Sequence, residues 1–112
     1  MKIDHNPRCS KSRQTLKMLQ ENGVDPEIVK YLEDVPTANE LKELINKLGI
    51  KPEALVRKTE KIYKEKFKGK DLSDEEWIQA MVEYPKLIQR PIVVKGNKAV
   101  LGRPPENVKE FL

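Results

Sequence analysis

Hydrophobic positions along this 112-residue chain form two patterns, short apolar stretches and repeats at helical spacing. The short stretches are bounded by turn-forming residues such as Pro, Gly and Asn, and they predict strands. These predicted strands cover residues 2–5, 27–31, 92–94 and 99–101. Gly96 and Asn97 lie between the last two and are typical of a two-residue hairpin turn, so this pair of strands should be antiparallel.

Apolar residues three and four positions apart predict helices, and capping residues indicate where these begin and end. Thr37 with Glu40, and Ser73 with Glu76, are capping-box patterns, in which each side chain accepts a bond from the other residue's main-chain N–H group. Gly23 is well suited to follow a helix. The predicted helices cover residues 10–22, 37–48, 51–56, 73–84 and 106–112, with possible helical anchors in a charged segment at 58–70.

The order of these elements predicts an α/β fold with one mixed four-stranded sheet. A strand, a helix and a second strand within residues 2–31 form a right-handed βαβ unit, whose two strands pair in parallel. The hairpin and the last helix form an antiparallel ββα unit. Between these halves lies a helical insertion at about residues 37–84. No linker or repeat interrupts the chain, so we predict one domain over residues 1–112.

Composition and charge argue against several kinds of function. The net charge is +4, but the lysines are interleaved with Asp and Glu, and 5% of the residues are aromatic. A nucleic-acid interface needs a denser basic surface and stacking side chains, so we expect no binding to nucleic acid. No apolar run approaches the roughly 20 residues that a membrane span requires, and no long apolar signal region follows Met1. We therefore expect a cytoplasmic protein, and a monomer because no large apolar face is evident.

The only cysteine, Cys9, lies between the first strand and the first helix, in the same segment as the only histidine, His5. A thiol at the start of a helix faces free main-chain N–H groups and the positive end of the helix dipole. Arg8, Lys11 and Arg13 add positive charge. These conditions lower the pKa of a thiol and favour a nucleophilic thiolate. A lone cysteine is more often a small buried apolar residue, but the polar neighbours of Cys9 favour the reactive role.

Four arginines are candidates for an oxyanion site, because a guanidinium fork matches the oxygens of phosphate, sulfate or arsenate. They are Arg13, Arg57, Arg90 and Arg103. The last three are predicted at the ends of elements, where side chains from different parts of the chain can converge on a helix N-terminus. For each arginine the alternative is a surface or ion-pair residue, and spacing alone does not decide between the two.

Five segments of the chain, in order, resemble those of the glutaredoxin-coupled arsenate reductases. The first has His5, then Cys9 and then Arg13, each separated by three residues, like the active-site segment of that family. Residues 31–33 resemble the run after the second strand. Residues 54–58, 87–94 and 101–104 resemble the segments that carry the three oxyanion arginines, here Arg57, Arg90 and Arg103.

The resemblance implies a thioredoxin-like fold and a mechanism. Cys9 would attack arsenate held by the three arginines, glutathione would reduce the adduct as a co-substrate, and glutaredoxin would remove the glutathione before arsenite leaves. With one cysteine, the resolving thiol must come from another molecule. No metal and no bound cofactor are expected. The implied supporting residues are His5, which helps to set the charge of the thiolate, Ser12 and Arg13 in the anion loop, and a cis proline at Pro91.

Two other functions are compatible with this fold, since a fold does not fix a function. One is a glutathione-dependent thiol reductase without arsenate turnover. The other is an Spx-type regulator that binds RNA polymerase, but such proteins often carry a Cys-x-x-Cys switch, and Ser12 stands where its second cysteine would be. The chain departs from the family at Ser10 and Lys11, where smaller residues are typical, and in the lysine-rich residues 59–72.

Overall fold

In a computed structural model, which describes residues 1–112, the chain forms four strands, four α-helices and three 3₁₀ helices. It divides into two compact units. One consists of residues 1–34 and 90–112, and the other of residues 35–89. One domain with an insertion at about residues 37–84 stays a prediction. None of the helices combines the length and apolar character that a membrane span requires.

The first unit contains a mixed four-stranded sheet, as predicted. Its strands are β1 (Lys2–Asp4), β2 (Glu27–Val29), β3 (Ile92–Lys95) and β4 (Lys98–Leu101). Their order is β2-β1-β3-β4, with β1 parallel to β2, and with β3 antiparallel to both β1 and β4. In β1, Ile3 lies opposite Ile28 on one side and Val93 on the other. The parallel pairing of the βαβ unit and the hairpin are therefore both confirmed.

Strands β1 and β2 are shorter than predicted because turns begin where they end. His5, predicted as the last residue of β1, lies outside that strand but still donates its N–H group to the Val29 carbonyl at 2.8 Å. After Val29 the chain turns, and the Lys30 carbonyl accepts bonds from two later N–H groups. Strand β2 lies at an edge of the sheet, which leaves Ile28 45% exposed.

One α-helix and one 3₁₀ helix pack on this sheet. Helix α1 (Ser10–Glu21) ends within one residue of the prediction, and Gly23 beyond it has a left-handed φ of 78°. The closing segment, predicted as a helix over residues 106–112, is instead the 3₁₀ helix Pro105–Phe111. Its buried residues lie three positions apart, and a 3₁₀ helix places every third residue on one side. The core of the unit is formed by Ile3, Leu19, Val93, Val108 and Phe111.

The second unit is helical, as predicted for residues 37–84. It consists of α2 (Ala38–Leu48), α3 (Lys61–Lys66) and α4 (Asp74–Glu83), with 3₁₀ helices at Pro52–Leu55 and Pro85–Leu87. Both capping boxes form, Thr37 with Glu40 before α2 and Ser73 with Glu76 before α4. The short helix predicted over residues 51–56 is a 3₁₀ turn that begins at Pro52, because proline has no N–H group to give to a preceding carbonyl.

Candidate active site

The loop that carries Cys9 joins β1 to α1 and is held in shape by Asn6. The Asn6 carbonyl accepts the N–H group of Cys9 at 3.0 Å, and the Asn6 side-chain oxygen accepts the N–H group of Arg8 at 3.0 Å. Arg13, on the first turn of α1, donates from its guanidinium to the Pro7 carbonyl at 2.9 Å. Because Arg13 is exposed, it fastens the loop from the outside. These bonds fix Cys9 at the start of the helix.

His5, Asn6 and Ser12 form a buried hydrogen-bonded group beside this loop. The Ser12 hydroxyl oxygen accepts the N–H group of Asn6 at 3.0 Å and lies 2.7 Å from Nδ1 of His5. Either group can donate in this bond, because the hydroxyl has one proton and two lone pairs and a neutral imidazole has two tautomers. Burial, followed by the charges of Lys30 and Arg13, lowers the pKa of His5. The ring supports the loop by a hydrogen bond, and its implied role in setting the charge of the thiolate stays a prediction.

The lowered pKa of His5 predicts a loss of stability in mild acid. A histidine whose pKa is lower in the folded chain contributes fully to stability above its unfolded pKa of about 6.5, and the contribution falls as the pH drops toward the folded value. Urea unfolding at about pH 7.5 and about pH 5.5 should therefore give a smaller free energy of unfolding at the lower pH. The variant His5→Asn has no proton to gain and should reduce this difference. Equal pH dependence in both proteins would contradict the prediction.

Cys9 is half-buried at the N-cap of α1, with φ −91° and ψ 124°. Burial raises the pKa of its thiol, but three neighbouring groups outweigh burial and the net pKa is lowered. They are the main-chain N–H group of Ser12, the Arg90 side chain and the main-chain N–H group of Lys11. N–H groups at a helix start and a guanidinium both stabilise a thiolate, so Cys9 has the properties of a nucleophile.

Two of the predicted oxyanion arginines, Arg90 and Arg103, meet at the Cys9 sulfur. Nη1 of Arg103 lies 3.7 Å from Sγ of Cys9 and donates to the Arg90 carbonyl at 3.2 Å. Arg90 is 8% exposed, and hydrogen bonding and charge from its side chain lower the pKa of the same thiol. Two guanidinium groups and the helix N–H groups can neutralise a tetrahedral anion beside the thiolate, which otherwise would repel it.

Pro91 lies directly after Arg90 and is hydrogen-bonded to the residue before Arg103. Its peptide bond with Arg90 is cis, as the resemblance implies. Its carbonyl accepts the N–H group of Gly102, the residue before Arg103, at 2.8 Å. A second cis bond joins Arg103 to Pro104 and was not predicted from the sequence.

Arg57, the third predicted oxyanion residue, belongs to the second unit. Its N–H group donates to the Leu87 carbonyl, and its Nε lies 3.4 Å from a carboxylate oxygen of Glu60. Both side chains of this ion pair are 23% exposed. The role of Arg57 in binding an oxyanion stays a prediction.

Three residues near the site had no functional role in the sequence analysis: Thr15, Gly102 and Asn107. Thr15 contacts the Gly102 carbonyl, and Asn107 donates to the carbonyls of Leu101 and Arg103. Bonds between a side chain and a distant carbonyl leave no pattern in the sequence, and Thr15 and Gly102 are 87 positions apart. No group of three or more His, Cys, Asp or Glu side chains is arranged to hold a metal ion.

Known proteins resemble this chain over its whole length. The model of the ArsC family matches residues 5–111. The uncharacterized protein YfgD of Escherichia coli is 53% identical, over 100% of this chain and 96% of its own. An arsenate reductase of Haemophilus influenzae is 45% identical, over 98% of this chain and 97% of its own. The solved structure of an arsenate reductase from Vibrio cholerae has a TM-score of 0.95 and 50% identity, and the match covers 99% of this chain and 96% of that one.

The mixed sheet, with a cysteine at the start of α1 and arginines on its sulfur, defines a thioredoxin-like protein with one activated thiol. Within that class, the match over nearly the whole sequence is decisive, and the chain belongs to the ArsC family. The family and fold implied by the sequence are thereby confirmed.

Proposed function

We propose that this protein is an arsenate reductase. The observation that carries the proposal is the convergence of Arg90 and Arg103 on the sulfur of Cys9, whose pKa is lowered. Two positive side chains beside a thiolate suit an anionic substrate better than a neutral disulfide. The names of family members with 42% to 45% identity, which are arsenate reductases, support the choice of arsenate.

The proposed reaction begins when the Cys9 thiolate attacks the arsenic of arsenate. A sulfur–arsenic bond forms, and an arsenate oxygen leaves as water after protonation. Arg90 and Arg103 neutralise the remaining oxygens, and Arg57 is proposed as the third such residue from the family resemblance. Arg13 and Ser12 keep the loop in shape, the latter through His5 and Asn6.

The reducing equivalents are proposed to come from glutathione and glutaredoxin. The glutathione thiol displaces a second oxygen as water and forms a second sulfur–arsenic bond. A glutaredoxin thiolate then attacks the glutathione sulfur, and the electron pair of the broken sulfur–arsenic bond stays on arsenic. Arsenic(V) thus becomes arsenic(III), the two outside thiols end as a mixed disulfide, and water releases arsenite from Cys9. An outside thiol is required because the chain has one cysteine.

A coupled assay tests this proposal. Arsenate-dependent NADPH oxidation should require this protein, glutathione, glutathione reductase and glutaredoxin together, and omission of glutaredoxin should remove it. Oxidation that depends on a small disulfide but not on arsenate would identify a thiol reductase and reject the proposal. Under the same proposal the protein acts in the cytoplasm as a monomer and without a bound cofactor, which gel filtration and elemental analysis can check.

A further inference from the structure

The main chain on either side of Arg103 is held at several points by residues that do not touch the Cys9 sulfur. We call residues 101–103 the arginine segment. It begins at the last residue of β4 and ends at a cis bond to Pro104. The guanidinium itself donates from Nη1 to the Arg90 carbonyl at 3.2 Å and to the Cys9 sulfur at 3.7 Å. An arginine side chain has many rotamers, so its position depends on where its own main chain is fixed.

On the inner side, helix α1 lies against the arginine segment through Thr15 and Gly102. The hydroxyl of Thr15, a fully buried residue, lies 3.2 Å from the Gly102 carbonyl and 2.9 Å from the Lys11 carbonyl, and shares its one proton between them. A Cβ added at Gly102 would lie 2.8 Å from the Thr15 hydroxyl and 2.9 Å from Cγ of Pro91. The segment can therefore approach α1 this closely only because residue 102 is glycine.

On the outer side, Asn107 of the 3₁₀ helix Pro105–Phe111 forms hydrogen bonds with the arginine segment. Its side-chain Nδ2 donates to the Leu101 carbonyl at 3.1 Å and to the Arg103 carbonyl at 3.2 Å. The amide has two protons, so both carbonyls can be satisfied at once. Asn107 is exposed and contributes nothing to the apolar core. Its two bonds therefore fix the main chain of the segment and have no evident packing role.

We propose that Thr15 and Asn107 are positioning residues, which hold the guanidinium of Arg103 at the Cys9 sulfur and thereby determine how well the thiolate accepts an anionic reagent. They act from opposite sides of one three-residue segment. The oxyanion substrate in this proposal rests on the proposed arsenate reductase function. The positioning itself does not, because it can be measured on Cys9 without arsenate.

The test compares the rates at which iodoacetate and iodoacetamide alkylate Cys9 at low salt. The two reagents react at the same kind of carbon, but only iodoacetate carries a negative charge. Dividing one rate by the other removes changes in thiolate fraction and in exposure. Arg103→Leu should lower the iodoacetate/iodoacetamide ratio by about fivefold, which is the effect of one charge about 4 Å away in water. Thr15→Val and Asn107→Ala should each lower the ratio in the same direction.

Double variants separate positioning from a general loosening of the structure. If the two residues act through Arg103, then neither Thr15→Val nor Asn107→Ala should change the ratio further in the Arg103→Leu background. Thr15→Ser keeps the hydroxyl and should retain the ratio. Asn22→Ala is a matched control, because Asn22 is also an exposed asparagine whose amide donates to a carbonyl four residues earlier, that of Met18 at 2.8 Å.

Unchanged ratios in Asn107→Ala and Thr15→Val would overturn the proposal, and so would an unchanged ratio in Arg103→Leu. A fall that is just as large in the Arg103→Leu background would show a general structural effect and would also overturn it. The exposed Asn107 keeps the test decisive if Thr15→Val does not fold. A protein that follows the expected pattern but does not reduce arsenate would retain the positioning role and lose the proposed function.

Discussion

Replacing Cys9 with serine is expected to abolish arsenate reduction. The chain has no other thiol, and a serine hydroxyl does not ionise at neutral pH, so no nucleophile would remain beside Arg90 and Arg103. Activity in the coupled assay should fall by about a thousandfold or more, on the scale of nucleophile deletions in other enzymes. Serine is also a favourable N-cap residue, so helix α1 should be preserved and the loss should not come from unfolding.

Two controls accompany this variant. One is the thermal unfolding midpoint of Cys9→Ser, and the other is the activity of Asn22→Ala, an exposed change at the far end of α1. Both should match the wild-type protein. Substantial arsenate reduction by Cys9→Ser, measured with the protein freed of contaminating reductase, would refute the mechanism.

Replacing Arg90 with leucine is expected to have the second largest effect, because Arg90 acts on Cys9 in two ways. It lowers the pKa of the Cys9 thiol through a hydrogen bond and its charge, and it lies where an oxyanion would bind. Loss of a stabilising positive neighbour should raise the thiol pKa. Loss of one oxyanion donor should reduce kcat by about a hundredfold or more.

The pH dependence separates these two effects. The curve of thiolate absorbance against pH should move to higher pH in Arg90→Leu, so that the thiolate fraction falls most at pH values between the wild-type pKa and the variant pKa. Arg90→Lys keeps the charge but loses the fork, and should shift the curve less while still impairing catalysis. An unchanged titration curve in Arg90→Leu would show that Arg90 does not stabilise the thiolate.

The parts of the fold that the sequence predicted correctly depend on near neighbours. The two capping boxes, the Gly96–Asn97 turn and the glycine after α1 each involve residues a few positions apart, so their side-chain chemistry specifies the local backbone. The parallel pairing of β1 and β2 follows from the length of the intervening helix and the handedness of such connections.

The errors in the predicted fold arise where turn hydrogen bonds and core packing override local propensity, which the sequence pattern does not show. Strand β2 ends at Val29 because the Lys30 carbonyl accepts N–H groups of the following turn, although Tyr31 suits a strand equally well. The closing segment is a 3₁₀ helix because the residues that reach the core, Pro105, Val108 and Phe111, are three apart. Both outcomes depend on the surrounding core as much as on local propensity.

The candidate site was predictable as a set of residue types and only partly as a geometry. The position of Cys9 between a strand and a helix was enough to predict a lowered thiol pKa. The contact between Arg103 and Cys9 joins residues 94 positions apart, and its expectation came from the family resemblance and from the chemistry of guanidinium groups. The positions of Thr15 and Asn107 beside Arg103 required the structure, because they act on main-chain carbonyls.

The sheet order has a consequence for when the thiol becomes reactive. Strand β1, made first, pairs with β2 and with β3, and β3 belongs to the last quarter of the chain. During synthesis Cys9 is made 94 residues before Arg103, so the growing chain carries a thiol without its guanidinium neighbours. Until β3 is made, Cys9 lacks the contribution by which Arg90 lowers its pKa. The order of synthesis thus leaves the nascent chain with a weaker thiolate until the hairpin of β3 and β4 has joined the sheet.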